Sequence, residues 1–142
     1  MINNKLKNTN TKFSNYLKKF KIYKNHFPRF NEECGVFGIS GSEDAAALTA
    51  LGLHALQHRG QEGCGIVSYD GNSYHSERKF GLVGDNFTNK KSLEKLTGTI
   101  AIGHNRYSTT GGETIRNIQP FYADLYGGAI SVAHNGNLTN AL

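Results

Sequence analysis

The chain has no tryptophan, one methionine and only two cysteines among its 142 residues. Two cysteines cannot build a disulfide framework, which excludes a small secreted scaffold held together by bridges. No stretch approaches the roughly 18 uncharged apolar residues that a membrane-spanning helix requires. The first residues also lack the apolar core of a secretory signal; Lys and Asn dominate there, broken by single aromatics. A reducing, cytoplasmic setting with free thiols is therefore expected. A metal site has little support. His54 and His58 have a spacing that puts two imidazoles on one helix face, but no Cys or carboxylate motif completes the set.

What the chain has in excess is positive charge, and its location decides its meaning. The net charge is +5. Residues 1–33 hold eight Lys/Arg against two Glu, while residues 34–142 hold eight against nine acids, so the whole excess lies in the first segment. The remainder has no electrostatic footprint for nucleic acid. Residues 1–33 are expected to be a basic leader with little fixed structure, although Phe13, Tyr16, Leu17 and Phe20 leave a short amphipathic helix over 11–24 as the alternative. Its Lys/Asn bias and single Arg speak against a transit peptide.

Residues 34–142 are enough for one modest domain. Cys34–Ile39 reads as a buried strand carrying glycines. An Ala/Leu-rich helix follows to about His58, with Ser42 as its cap and Leu48, Leu51, Ala55 and Leu56 as its buried stripe. Cys64–Tyr69 and Ser73–Phe80 flank an Asp70-Gly71-Asn72 turn, a hairpin signal. A second helix is expected over 89–97, strands over Thr99–His104 and Gly128–His134, and a loop over Thr110–Pro120. This order predicts an α+β domain. The last residues, Asn135 to Leu142, read as the opening of another helix, so a fragment of a longer chain is expected.

Four polar clusters end these strands: Glu33-Cys34-Gly35, His58 to Gly63, His104 to Thr109, and His134 to Asn137. Singly, each has an ordinary reading. Cys34 could be a small core residue, Arg106 a surface charge and Asn135-Gly136 a tight turn. Together they could make an amidase. A thiolate attacks a carbonyl, an Asn amide and a Gly N–H hold the oxyanion, and an Arg grips a carboxylate. His104 or His134 as base for Cys34 would give a papain-like alternative that spacing cannot decide.

The strings Cys34-Gly-Val-Phe-Gly-Ile39, Leu56-Gln-His-Arg-Gly-Gln-Glu62, Gly103-His-Asn-Arg-Tyr-Ser-Thr109 and His134-Asn-Gly-Asn137 closely resemble the amidophosphoribosyltransferase family. Other class II glutamine amidotransferases share the Cys-Gly start, the Arg and the Asn-Gly. The second and third strings single out the purine enzyme, and the likeness runs from about Asn31 to Leu142.

The resemblance implies an N-terminal-nucleophile (Ntn) hydrolase α-β-β-α sandwich, here incomplete: a basic leader or propeptide at 1–33 and a partial glutamine amidotransferase domain at 34–142. It implies that Cys34 becomes the first residue after cleavage of the Glu33–Cys34 bond. Asn135 and Gly136 would form the oxyanion hole, and Arg106 would bind the glutamine α-carboxylate. Tyr107, Ser108 and Thr109 would lie near the glutamine site, and Arg59 would order the pocket. The implied substrates are glutamine and, through a phosphoribosyltransferase half outside this chain, phosphoribosyl pyrophosphate. Magnesium, and in some members an iron–sulfur cluster, would belong to that half, and the complete enzyme would be a homo-oligomer without nucleic-acid or membrane partners. Cys64 is expected to be a core thiol. The competing readings are the same glutaminase domain joined to another acceptor half, a non-catalytic module, and a basic-tail nucleic-acid binder. N-terminal sequencing of the complete gene product is expected to start at Cys34; residues 1–33 intact on a fully active enzyme would refute that.

Overall fold

The computed structural model describes residues 33–107 and 114–136. From Glu33 onward the chain forms one compact unit. Its elements are β1 (Gly35–Ser40), α1 (Ala45–Ala55), a 3-10 turn (Gln57–Arg59), β2 (Gly63–Tyr69), β3 (Tyr74–Phe80), α2 (Val83–Asn86) and α3 (Lys90–Leu93). They are followed by β4 (Ile100–Arg106), a second 3-10 turn (Ile115–Asn117), β5 (Phe121–Leu125) and β6 (Gly128–Val132).

Strands β1 to β4 form one antiparallel sheet in the order β1-β4-β2-β3, and β5-β6 form a separate two-stranded ribbon. Because side chains alternate along a strand, Ala101, Gly103 and Asn105 face one side of β4, and Ile102, His104 and Arg106 face the other. Helix α1 covers the first side. A Cβ on Gly103 would lie 2.6 Å from Leu53 Cδ1 and 2.8 Å from Thr49 Cγ2, so the missing side chain is what lets the helix seat there. The core collects on this side: Ala46, Ala50, Leu53, Cys64, Ile66, Phe87, Leu96 and Ala101 are buried, with Phe37, Ile39 and Leu93 packed against them.

Glycines likewise shape the opposite side. Gly63 and Gly65 leave room for the backbone and side chains of Ile118 and Gln119 to settle on β2. Beyond them the ribbon continues this second layer. The Tyr74 hydroxyl donates to the Ala129 carbonyl at 3.2 Å, and the Tyr74 and Tyr122 rings stack at 6.2 Å. Helix, sheet and second sheet thus make three layers of the α+β sandwich.

Several expected elements hold. The β2–β3 hairpin closes as anticipated, with Asp70 Oδ1 accepting the N–H groups of Asn72 and Ser73 and Gly71 at φ +96°. Others need correction. Helix α1 starts at Ala45 rather than directly after Ser42, whose hydroxyl accepts the Asp44 N–H instead. Its buried face is Ala46, Thr49, Ala50 and Leu53; Leu48 and Leu51 are exposed at 38% and 67%. The segment AAALTALGLHA is apolar nearly all round, so periodicity alone left its phase open, and Gly103 across the interface selects the small face. The expected helix at 89–97 shrinks to Lys90–Leu93, although Leu96 is still buried, and β6 stops at Val132. Helix α2 and strand β5 were not anticipated.

Gly103→Ala in the full-length protein is expected to lower unfolding stability by about 1–3 kcal/mol in urea titration, through overpacking against Leu53 and Thr49. An unchanged midpoint would show that α1 can lift off the sheet freely.

Candidate active site

The site forms where β1 begins, β4 ends and β2 begins. Antiparallel register brings these three strand ends together, with Gly35 opposite Asn105 and Gly63 opposite Arg106. Cys34 stands immediately before β1 and is half-buried. Its main chain is held twice by one residue of the 57–59 turn. The Cys34 N–H donates to the Arg59 carbonyl at 2.8 Å, and Arg59 Nε donates to the Cys34 carbonyl at 2.7 Å. The turn is itself braced by Gln57, whose Nε2 donates to the Gly60 carbonyl and whose Oε1 accepts the Val83 N–H.

The sulfur lies against the end of β4. The Tyr107 N–H donates to Cys34 Sγ at 3.4 Å, and the thiol reaches the Tyr107 carbonyl at 3.6 Å. Cys34 also has φ +61°, the one non-glycine residue in left-handed backbone among the described residues, at a cost of roughly 1–2 kcal/mol.

Asn135 arrives from the far side of the second layer. Its Nδ2 lies 3.5 Å from the Cys34 carbonyl oxygen, which brings the side-chain amide beside the nucleophile. The approach is set by the segment just after β6, where the His134 N–H donates to Gln119 Oε1 at 2.8 Å. Gly136 follows at φ +146°, a conformation that favours glycine, and leaves this turn open to solvent.

Arg106 is the last residue of β4, opposite Gly63 on β2. Its Nη1 donates to the Asn117 carbonyl at 2.6 Å, and its Nε lies 4.0 Å from Glu62 Oε2. These anchors hold the guanidinium on the same side of the sheet as the second layer. Asn117 and Glu62 were not anticipated; Glu62 stood in the quoted Arg-Gly-Gln-Glu string, while Asn117 acts through its backbone and leaves no sequence signal. Ser108 and Thr109 lie outside the described residues, as does everything after Gly136.

Two titratable groups near the site are buried, His104 and Cys64. His104 is 1% exposed, and neither ring nitrogen has a hydrogen-bond partner among the described residues. Burial chiefly, with repulsion from His134 and Arg106, pushes its pKa down to about 4. It is a neutral ring close to Arg106. Cys64 is buried and its thiol is pushed up to about 12, again mainly by burial, so it is an inert core thiol as expected.

Two solved structures share this architecture. One, described as the allosteric regulatory enzyme of purine biosynthesis, superimposes with a TM-score of 0.68 at 48% identity, over 75% of this chain and 23% of its own length. The other, glutamine phosphoribosylpyrophosphate amidotransferase from B. subtilis complexed with ADP and GMP, gives 0.65 at 47% identity over 75% and 22%. With a cysteine opening β1 and an Asn-Gly turn brought up to it, the fold is that of an Ntn glutamine amidotransferase domain. No protein-family model matches the chain. Among curated relatives, amidophosphoribosyltransferase of Rhizobium etli is 64% identical over 112 residues, and that of Lacticaseibacillus casei 52% identical over 118. The chain belongs to the amidophosphoribosyltransferase family. It spans 23% of the length of the first relative and 61% of the second.

A folded-state pKa near 4 for His104, against about 6.5 unfolded, carries a definite sign. Stability from keeping the ring neutral is complete above pH 6.5 and is lost as the pH falls toward 4, on the order of 3 kcal/mol in all. Urea unfolding of the full-length protein between pH 7 and 4 is expected to show this slope, and His104→Asn to flatten it. Parallel curves for the two proteins would contradict the assignment.

Proposed function

We propose that residues 34–142 belong to the glutaminase half of an amidophosphoribosyltransferase. The complete enzyme would hydrolyse glutamine at Cys34 and use the ammonia to make phosphoribosylamine from phosphoribosyl pyrophosphate, the first committed step of purine synthesis. The observation that carries this reading is the grip on Cys34: Arg59 fixes its main chain from both sides, a backbone N–H meets its sulfur, and the Asn135 amide stands beside it.

In this reading the Glu33–Cys34 bond is cut first, and residues 1–33 are the leader that is removed. The left-handed backbone of Cys34 stores strain at the bond to be broken. While that bond is intact the Cys34 nitrogen is an amide and cannot take a proton. Once freed, an α-amino group with a pKa near 8 is partly neutral at pH 7 and can accept the thiol proton. The Arg59 carbonyl that now accepts the amide N–H would orient the amine.

The thiolate then attacks the glutamine side-chain carbonyl. The resulting oxyanion is met by Asn135 Nδ2 and the Gly136 N–H, and removal of such a donor typically costs about 100-fold or more. The ammonium proton returns to the leaving nitrogen, ammonia departs and a thioester remains at Cys34. Water completes the hydrolysis to glutamate. Arg106, kept in place by the Asn117 carbonyl and Glu62, binds the α-carboxylate. Tyr107, Ser108 and Thr109 border the glutamine.

Among the described residues no three His, Cys, Asp or Glu side chains form a metal-holding group. Magnesium, and an iron–sulfur cluster where one occurs, are assigned in this reading to the phosphoribosyltransferase half, and no step here passes through them. No described helix is long and apolar enough to cross a membrane. A cytoplasmic homo-oligomer is the form we propose for the complete enzyme.

Cys34→Ala in the full-length enzyme is expected to abolish glutamine-dependent phosphoribosylamine formation, by at least roughly a thousandfold, while ammonia-dependent formation stays within about twofold of the parent. Glutamine-dependent turnover surviving in that variant would sink the reading.

A further inference from the structure

Asn105 is fully buried in the sheet, opposite Gly35 on β1 and Cys64 on β2. Its Nδ2 donates a 2.7 Å hydrogen bond to the Leu53 carbonyl in the last turn of α1. Its Oδ1 has no partner among the described residues. An amide with a stranded oxygen is a poor choice if packing alone mattered, because an aliphatic residue would fill the position without desolvating an acceptor. The donor is what the position uses.

The carbonyls of a helix's last turn have no partners within the helix. The Leu53 carbonyl accepts the Leu56 N–H just past the helix at 3.0 Å, and Asn105 adds a second donor to it that ties the end of α1 to β4. From that anchor the chain passes through Leu56 into the 57–59 turn, which supplies both hydrogen bonds to Cys34. Leu56 also presses directly on the residue after the nucleophile: a Cβ on Gly35 would lie 3.0 Å from Leu56 Cβ. Gly35 is the cross-strand partner of Asn105 itself. The loop of contacts closes: β4 holds Asn105, Asn105 holds α1, α1 carries the turn, and the turn holds Cys34 against β4.

We propose that Asn105 is a positioning residue for the Cys34 nucleophile, setting the seat of the 57–59 turn and through it the direction of Cys34 Sγ. It touches no substrate. This rests on the glutaminase reading above. Loss of the donor frees the turn to shift, and a displacement near 1 Å at a nucleophile costs up to roughly 100-fold in rate. Arg106 has separate anchors on Asn117 and Glu62, so glutamine binding should be spared.

The test uses the full-length, processed enzyme. Asn105→Leu is expected to lower glutamine-dependent kcat roughly 10- to 100-fold with KM for glutamine within about twofold. Ammonia-dependent turnover should be unchanged, and iodoacetamide alkylation of the Cys34 peptide, followed by mass spectrometry, should slow in parallel. Asn105→Asp supplies the second arm. Its buried carboxyl can donate to Leu53 only when protonated, so its kcat relative to wild type should rise as the pH falls. Wild-type kcat and alkylation in Asn105→Leu would overturn the proposal. Should that variant lose ammonia-dependent turnover as well, a pH-independent ratio for Asn105→Asp would overturn it instead. A wild type that hydrolyses no glutamine would defeat the functional reading, and the alkylation rates would still decide the positioning role.

Discussion

Everything at this site is organised around the double hydrogen bond between Arg59 and Cys34. One residue of a short turn accepts the nucleophile's N–H and donates to its carbonyl, so the start of β1 can neither slide nor rotate without breaking both. In the proposed reading Cys34 becomes a chain terminus, ordinarily among the most mobile places in a protein. Here its main chain is pinned by the protein's own Arg59. That is the condition under which the Tyr107 N–H at the sulfur and the Asn135 amide beside Cys34 keep their geometry.

The clamp in turn depends on close approach between layers, and glycine is the means. Gly103 admits α1, Gly35 admits Leu56, and Gly63 and Gly65 admit the 118–120 segment from the opposite side. Each removes a side chain where two backbones must nearly touch. The consequence is a thin sheet with function on its rim: the helix end brings Arg59 to Cys34 from one side, and the second layer brings Asn117 to Arg106 and Asn135 to Cys34 from the other. The buried neutral His104 fits the same pattern, since a charged ring close to Arg106 would repel its guanidinium.

Much of this was legible from residues in order. The four polar clusters are local strings, and the hairpin at Asp70-Gly71 follows from turn chemistry that needs no partner. Less legible was whatever depends on which surface meets which. Helix α1 is apolar nearly all round, so its stripe could be drawn through Leu48 and Leu51 as readily as through Ala46 and Leu53, and only Gly103 on a strand some fifty residues later breaks the tie. Strand β5, with every residue exposed, has no burial alternation to mark it. Asn105 stood inside a quoted motif between two more conspicuous neighbours, and its donor role depends on a carbonyl 52 residues away.

By itself, then, the sequence nominated the chemistry: a cysteine, an arginine and an Asn-Gly pair that together could make an amidase, with their roles implied by the family resemblance. Residue type and short strings suffice to nominate such groups, because reactivity belongs to side chains. Tertiary structure alone decided the arrangement: that Arg59 acts on the main chain of Cys34, that Arg106 is moored to a backbone carbonyl, and that β4 carries a buried amide tying helix to sheet. Those contacts join residues 11 to 52 positions apart. They arise from antiparallel register and from glycine-thinned layers, and neither is written in any one stretch of chain.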